Sequence, residues 1–431
     1  MHRSNLPLLF ALLTTPLHAQ RADSAAVARA AFANASRLLS AGDTSGAALQ
    51  ALRATTAWPL QGGYLVPAAR LNALAGNTAE ALALLGKATT MGFAWNGAHP
   101  AFASLDGTAE FATLRVGAES NAAPMVNSEV LWTLADSTLH PEGVAFDPTT
   151  GRWFVSSVRH AKVVVLGPDG SARDFTSPDA QLEATFGLAV DERRQLLWIA
   201  TSRTPEEASV TDPRGSGAAV VGVDLATGRV RERWTVTDTA LPHLLGDVVL
   251  APDGSLWATD SRTPALYHIT PDGRGGALSP HVLHSPDWAS PQGMAFDPDG
   301  RTAWLADWTT GLYRLDLITN QVTPVESPAE DFMLGIDGLY ARAGGDLVAI
   351  QNGLSPARVI RVTLDESGER VKAIRVLDRH LPIAEEPTLG VMVDGALVYV
   401  ANSPWEYYTD GRPAPGAAFP HPVLLRLPIE P

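Results

Sequence analysis

Six segments of similar pattern recur along the C-terminal two-thirds of the chain: PEGVAFDP, TFGLAVDE, GDVVLAPD, PQGMAFDP, IDGLYARA and TLGVMVDG. Aligned, they share a column at Gly143, Gly187, Asp247, Gly293, Gly338 and Gly390, with spacings of 44, 60, 46, 45 and 52 residues. Alternating apolar strands and Asp/Gly/Pro turns fill each interval, enough for one four-stranded sheet, and sheets repeated at this period make a β-propeller. A second column follows at Trp153, Trp198, Trp257, Trp304, Val348 and Tyr399, which reads as packing between sheets. Between the columns stand Pro252-Asp253-Gly254, Pro298-Asp299-Gly300, Gly344-Gly345 and Asp394-Gly395, all hairpin chemistry. The last repeat runs out of chain one strand short. The orphan strand at 130–134 is positioned to supply the missing strand and join the two ends of the ring, which removes a sticky edge. The fold class is therefore mainly β: a six-bladed β-propeller over 128–431, with an N-terminal α-helical repeat segment before it.

That segment, 21–118, is rich in Ala and Leu, with helical spacing in 27–39, 47–54, 64–74 and 79–88. Breaks at Gly42-Asp43, 59–63 and Gly76-Asn77 cut it into helix pairs that recur at about 34 residues, the tetratricopeptide period. It resembles that family loosely, through Ala68, Leu71 and Ala75 in one helix and Ala79, Ala81 and Leu85 in the next. A further helical stretch at 102–114 completes a small stack, and 118–123 reads as a linker. The stack serves either as a spacer packed on the propeller or as a groove for a protein partner.

The first 20 residues, MHRSNLPLLFALLTTPLHAQ, carry one Arg, an apolar run and Ala19 before a polar stretch, the layout of a secretory signal. Cleavage is expected after Ala19 or Gln20, giving a periplasmic or secreted protein with no membrane span. A net charge of −14 opposes phosphate backbones and argues against nucleic acid as a partner. The chain has no cysteine, which excludes disulfides, thiolate metal sites and cysteine nucleophiles.

Adjacent strands of a blade are antiparallel, so the start of the first strand and the end of the second meet at one mouth of the channel. Just before the shared column stand Glu142, Phe186, Gly246, Gln292, Asp337 and Leu389; at the second-strand ends stand Ser156, Thr201, Asp260, Asp307, Gln351 and Asn402. Acids converging on one funnel repel one another unless protonated or neutralised by a cation. An all-oxygen set favours a hard divalent ion, Ca²⁺ first, with Mg²⁺, Mn²⁺ or Zn²⁺ as alternatives.

In PEGVAFDP, PQGMAFDP and GDVVLAPDGSLWATD the propeller region resembles the gluconolactonase and senescence marker protein family, six-bladed propellers related more distantly to paraoxonases and strictosidine synthases. The resemblance implies a divalent metal at the channel mouth. Its Glu falls on Glu142 and its Asp on Asp337, while its Asn position is occupied by Gln292, one methylene longer. Gly246 stands where relatives often carry Asn, next to Asp247. The implied chemistry is hydrolysis of a lactone or related ester, with Asp337 as base and His243 or His140 assisting proton transfer. Asp247, Asp260, Asp307 and Asn402 are the expected substrate contacts. No G-x-S-x-G elbow, H-E-x-x-H helix, phosphate-binding loop or EF-hand loop is present. The departures at Gln292 and Gly246, with the extra helical segment, keep open a second reading: a non-enzymatic propeller that binds a ligand or protein.

Overall fold

The computed structural model describes residues 21–207, 217–342 and 344–429. The expected signal segment, 1–20, lies outside them.

Six sheets form the ring. Blade 1 runs Val144–Asp147, Arg152–Ser157, Lys162–Leu166 and Ala172–Asp174 from the axis outward, and blades 4 and 5 repeat this four-stranded meander. The shared column has a steric cause. A Cβ on Gly143 would lie 2.5 Å from the Phe186 carbonyl oxygen of blade 2, and one on Gly187 would lie 2.5 Å from Asp247 of blade 3. One on Gly293 would meet the Asp337 carbonyl oxygen of blade 5 at 2.3 Å, and one on Gly338 the Thr388 carbonyl oxygen of blade 6 at 3.0 Å. At this level the innermost strands close on one another, so glycine recurs because a side chain would enter the next blade's backbone. The ring of glycines forms the waist of the channel.

Blade 6 is closed by the segment that sequence patterning assigned to it. Its order is Glu129–Thr133, Val423–Pro428, Ala396–Val400, Gly390–Val393, with the N-terminal strand antiparallel to the C-terminal one and Val130 opposite Leu425. Blade 3 differs from the expected pattern: it has three strands, Leu245–Leu250, Leu256–Asp260 and Ala265–Ile269. The segment Gly276–Leu278 instead pairs in parallel with Val230–Val236, the outer strand of blade 2.

The second column is also adjusted by the observed register. Trp198, Trp257, Trp304 and Val348 each lie opposite the residue two places after the column, but the equivalent place is Phe154 in blade 1 and Leu397 in blade 6. Trp153 is accordingly only half-buried, while Trp198 is fully buried.

The helical segment comprises α1 (Arg21–Ser40), α2 (Thr44–Ala57), α3 (Leu65–Leu74), α4 (Thr78–Thr90) and α5 (Ala109–Ala122). Asp43 caps α2 by accepting from the Gly46 N–H, which satisfies one of the unpaired amides of its first turn. The facing surfaces of α1 and α2 are mostly alanine, with Ala28, Ala35, Ala47, Ala51 and Ala54 buried, so the helices approach closely but enclose little apolar volume. The expected linker at 118–123 is instead the last turn of α5: Ala118 is buried, and the strand follows after only six residues, 123–128.

Helices and propeller share one apolar core, in which Phe332, Leu334 and Leu354 of blade 5 pack with Phe93 and its neighbours. Phe93 meets Phe332 edge-on at 4.9 Å, and the Ala94 N–H donates to the Ser355 carbonyl at 3.0 Å. Arg379 holds the end of α5 by donating to the Ser120 and Ala123 carbonyls. Phe332, Leu334 and Leu354 stand where blade 5 meets the channel mouth, so the helices sit on the mouth face of the ring.

Candidate functional site

The repeat of polar residues at the second-strand ends has a structural explanation. Ser156, Thr201, Asp260, Asp307, Gln351 and Asn402 are all buried. Each braces chain at the mouth whose peptide groups would otherwise be buried without partners. Ser156 accepts from the Gly143 N–H at 2.7 Å, Thr201 donates to the Glu183 carbonyl, and Gln351 donates to the carbonyls of Phe332 and Leu334. Asp307 accepts from the N–H groups of Ala289, Ser290, Thr309 and Thr310. Asp260 does the same for Leu244, Arg262 and Thr263, and Asn402 ties His421 to Val423. None of the expected substrate contacts Asp260, Asp307 and Asn402 faces the mouth cavity.

His243 is likewise part of the frame. Its Nδ1 lies 2.6 Å from Asp260 and its Nε2 2.9 Å from the Asp238 carbonyl, so both ring nitrogens are engaged away from the mouth. Asp247, in the glycine column, lies at the waist and faces the opposite half of the channel, a cavity of about 610 Å³ in which it is the only charged lining residue among those described. Burial raises its carboxyl to about 7, with Val248 N–H opposing and the charge of Asp337 adding to the rise.

The residues just before the column do converge. Glu142, Gln292 and Asp337 line one mouth cavity of about 260 Å³, together with Glu386 and the rings of Trp308, Trp405 and Phe186. No Lys, Arg or His lines it among the described residues. Glu142 accepts from Ser403 Oγ at 3.1 Å and from the indole of Trp405, both through Oε1. Asp337 accepts from Asn352 Nδ2 at 2.9 Å through Oδ2. The second oxygen of each carboxylate takes no donor among the described residues. Gln292 donates its amide to Ser290 Oγ at 3.3 Å, which leaves its carbonyl oxygen as the free end.

Burial dominates the electrostatics of these acids. It raises Asp337 to about 6 against the opposing Asn352 hydrogen bond. Glu142 is raised further, by burial first and then by the charge of Asp337, with Trp405 and Ser403 pulling the other way. Burial and Asp337 also lift Glu386 to about 7. Carboxyls held this high in a concave site make it the candidate functional position.

Among the described residues no three His, Cys, Asp or Glu side chains stand close enough to share a metal ion. A cation here would rest on two carboxylates, Glu142 and Asp337, with neutral oxygens such as that of Gln292 and water completing its shell. That donor set is all oxygen and anionic at its centre, which fits a hard divalent ion.

The segment between the second and third strands of blade 6 roofs one side of the cavity. Trp405 lies edge-on to His140 at 4.5 Å, and Tyr408 stacks on it at 5.0 Å. His140 is fully buried with neither ring nitrogen partnered among the described residues, and burial lowers it to about 3. The sequence pattern did not single out Ser403, Asn352 or Glu386. Asn352 directly follows the brace Gln351, and that offset is the signal that finds it.

The profile of the SMP-30/gluconolactonase/LRE-like region matches residues 140–384, more than half of the chain. The chain belongs to this family. No curated protein sequence matches it significantly. Similar solved structures include a gluconolactonase from Xanthomonas campestris, at 17% identity over 72% of this chain and 93% of that one, TM-score 0.44. A luciferin-regenerating enzyme is similar at 14% identity over 71% and 95%, TM-score 0.46. Virginiamycin B lyase from Staphylococcus aureus is similar at 13% identity over 69% and 98%, TM-score 0.43. The family match begins at His140, so it takes in the first of the converging acids and reaches past the last blade-5 strand.

Proposed function

We propose that this protein is an exported, divalent-cation-dependent hydrolase of small lactones or related esters. One observation carries the reading: Glu142 and Asp337, from blades 1 and 5, bring a buried and a half-buried carboxylate to one cavity, each with one oxygen held and the other free. Family membership supports the reaction class, and the first 20 residues support export.

A bound divalent ion at Glu142, Asp337 and the Gln292 carbonyl oxygen would polarise the ester carbonyl and stabilise the charge developing on its oxygen. Asp337 accepts the proton of the attacking water. Glu386, whose carboxyl burial raises to about 7, supplies a proton to the departing alkoxide. Water adds to the carbonyl carbon, the ring C–O bond breaks, and a hydroxy acid leaves. Trp308, Trp405 and Phe186 wall off bulk water, and about 260 Å³ of space admits a small ring rather than a long acyl chain.

The test is a screen of five- and six-membered lactones and aryl esters with Ca²⁺, Mn²⁺ or chelator. Turnover should require the ion. Asp337→Asn should abolish it and weaken Mn²⁺ binding together, whereas Gln292→Asn should retain or strengthen Mn²⁺ binding. A parent protein inert with every ion, and variants unchanged in metal content, would move the assignment to a non-enzymatic ligand-binding propeller.

A further inference from the structure

We infer that Trp308, acting through Asn352, is the positioning residue that orients Asp337. The inference rests on the hydrolase reading above for what Asp337 does, but not for the relay itself.

Trp308 Nε1 donates to Asn352 Oδ1 at 2.9 Å, and Asn352 Nδ2 donates to Asp337 Oδ2 at 2.9 Å and to the Pro387 carbonyl at 3.2 Å. An indole only donates, and an ionised carboxylate only accepts. The amide of Asn352 therefore has one orientation that satisfies both neighbours, oxygen toward Trp308 and nitrogen toward Asp337. Both amide hydrogens are used, so Oδ2 of Asp337 is fixed from the side and Oδ1 is left for the cavity.

The ring of Trp308 is itself seated on a built platform. The backbone N–H of Trp308 donates to the Ser290 carbonyl at 2.9 Å, its backbone carbonyl accepts from the Gly335 N–H at 2.8 Å, and the Gly335 carbonyl accepts from the Gly353 N–H at 3.0 Å. A Cβ on Gly353 would lie 2.4 Å from Gly335 Cα and 3.0 Å from the Trp308 ring, and Gly335 has φ +67°. Two glycines are thus needed for the indole to lie against the backbone of blade 5. The platform holds a large ring 37% exposed at the mouth, a poor arrangement for packing alone but a direct one for presenting an N–H to Asn352. The brace at Asp307 fixes the same loop from beneath. The relay crosses three blades: Trp308 in blade 4, Asn352 and Asp337 in blade 5, and Pro387 beside Glu386 in blade 6.

Trp308→Phe keeps the aromatic wall and removes the donor; Trp308→Ala removes both. Three readouts separate the roles. In the ¹⁵N spectrum the Asn352 side-chain amide should show two resolved, slowly exchanging protons in the parent and lose that protection in Trp308→Phe. Mn²⁺ affinity, measured by calorimetry, should fall roughly three- to tenfold in Trp308→Phe, and kcat on the best lactone should fall about tenfold with KM within about twofold. Trp308→Ala should raise KM as well. Melting temperature reports on folding, and a fall in kcat without one excludes a merely structural effect. Unchanged kcat and Mn²⁺ affinity in a folded Trp308→Phe would overturn the positioning role while leaving the hydrolase reading intact. A parent that binds Mn²⁺ but turns over nothing would sink the hydrolase reading, and the relay would stand or fall on Mn²⁺ affinity. A parent with neither, or an Asn352 amide that is unprotected, would overturn the inference.

Discussion

The indole N–H of Trp405 donates to the same Glu142 oxygen that Ser403 holds, so a loop of blade 6 fixes the first acid of blade 1. The hydrogen bond favours the ionised carboxylate against burial and the charge of Asp337, which both favour protonation. Trp405→Phe keeps the ring and removes the donor, so Glu142 should ionise at higher pH and a proton should compete better with a cation. Mn²⁺ affinity at pH 7 should drop about tenfold, the worth of one hydrogen bond to a charged group. The loss should shrink toward pH 8.5, where the proton competes less. Calorimetric titrations at the two pH values check this; a loss equal at both would assign Trp405 to packing alone.

Asp247 gives a second pH dependence, centred on the waist of the channel. Its carboxyl is raised from an unfolded value near 3.8 to about 7. Because the folded state holds the proton more tightly, the stabilising contribution is complete below the unfolded value and is lost as pH rises through about 7. In chelator the parent should therefore melt at lower temperature at pH 8 than at pH 5. Asp247→Asn, neutral throughout, should flatten this slope and gain roughly 1–2 kcal/mol over the parent at pH 8, a figure kept low because the group faces the channel. Melting curves from pH 5 to pH 8 measure it; an unchanged slope would show that Asp247 is already ionised in the fold.

The ring was legible because its cause is periodic. Glycine recurs in four blades where an inner strand meets the next blade, and that steric need leaves a mark at Gly143, Gly187, Gly293 and Gly338 in the chain itself. The orphan strand was legible because a closed ring requires a strand count that the C-terminus cannot meet. The converging trio Glu142, Gln292 and Asp337 shares one repeat position and was found by the same periodicity. The second-strand ends are equally periodic, but periodicity does not report which way a side chain turns. Asp260 and Asp307 turn inward to satisfy buried amides, a demand invisible without the loops they brace. Trp405 and Ser403 lie in an insertion between strands of blade 6 with no counterpart in the repeat, and the transfer of Gly276–Leu278 to blade 2 depends on long-range pairing that local pattern does not encode.

The helical segment has large buried side chains of its own, among them Trp95, Phe102 and Phe111, but it completes its core with three from the propeller. Phe332, buried between Phe93 and blade 5, is the central contribution from the ring. Phe332→Ala should cost ~3–5 kcal/mol if the interface does not collapse, and it should free the helices before the ring melts. Limited proteolysis should then cut within 21–122 while the propeller survives. Loss of both parts together in one transition would show that helices and ring form a single cooperative unit.

Closure of the ring predicts a sharp difference between two truncations. Strand Glu129–Thr133 pairs with Val423–Pro428, and the residue after it, Leu134, is fully buried with Leu139, Val144, Val155, Val400 and Leu424 in the seam between blades 6 and 1. Trp132 extends the seal by packing edge-on against Trp153 at 5.4 Å. Removing residues 21–123 exposes Phe332, Leu334 and Leu354 and should lower solubility, but it leaves this seam whole. The shortened protein should therefore still melt cooperatively and run as a monomer. Removing residues 21–134 uncovers an unpaired edge on the C-terminal strand and takes Leu134 and Trp132 from the seam. Burial of one such side chain is worth ~1.5–3 kcal/mol, and an exposed strand edge adds a route to aggregation. Size-exclusion chromatography and melting curves of the two truncated proteins decide the point: the longer deletion should aggregate and melt well below the shorter, and identical behaviour would show that the N-terminal strand does not hold the ring closed.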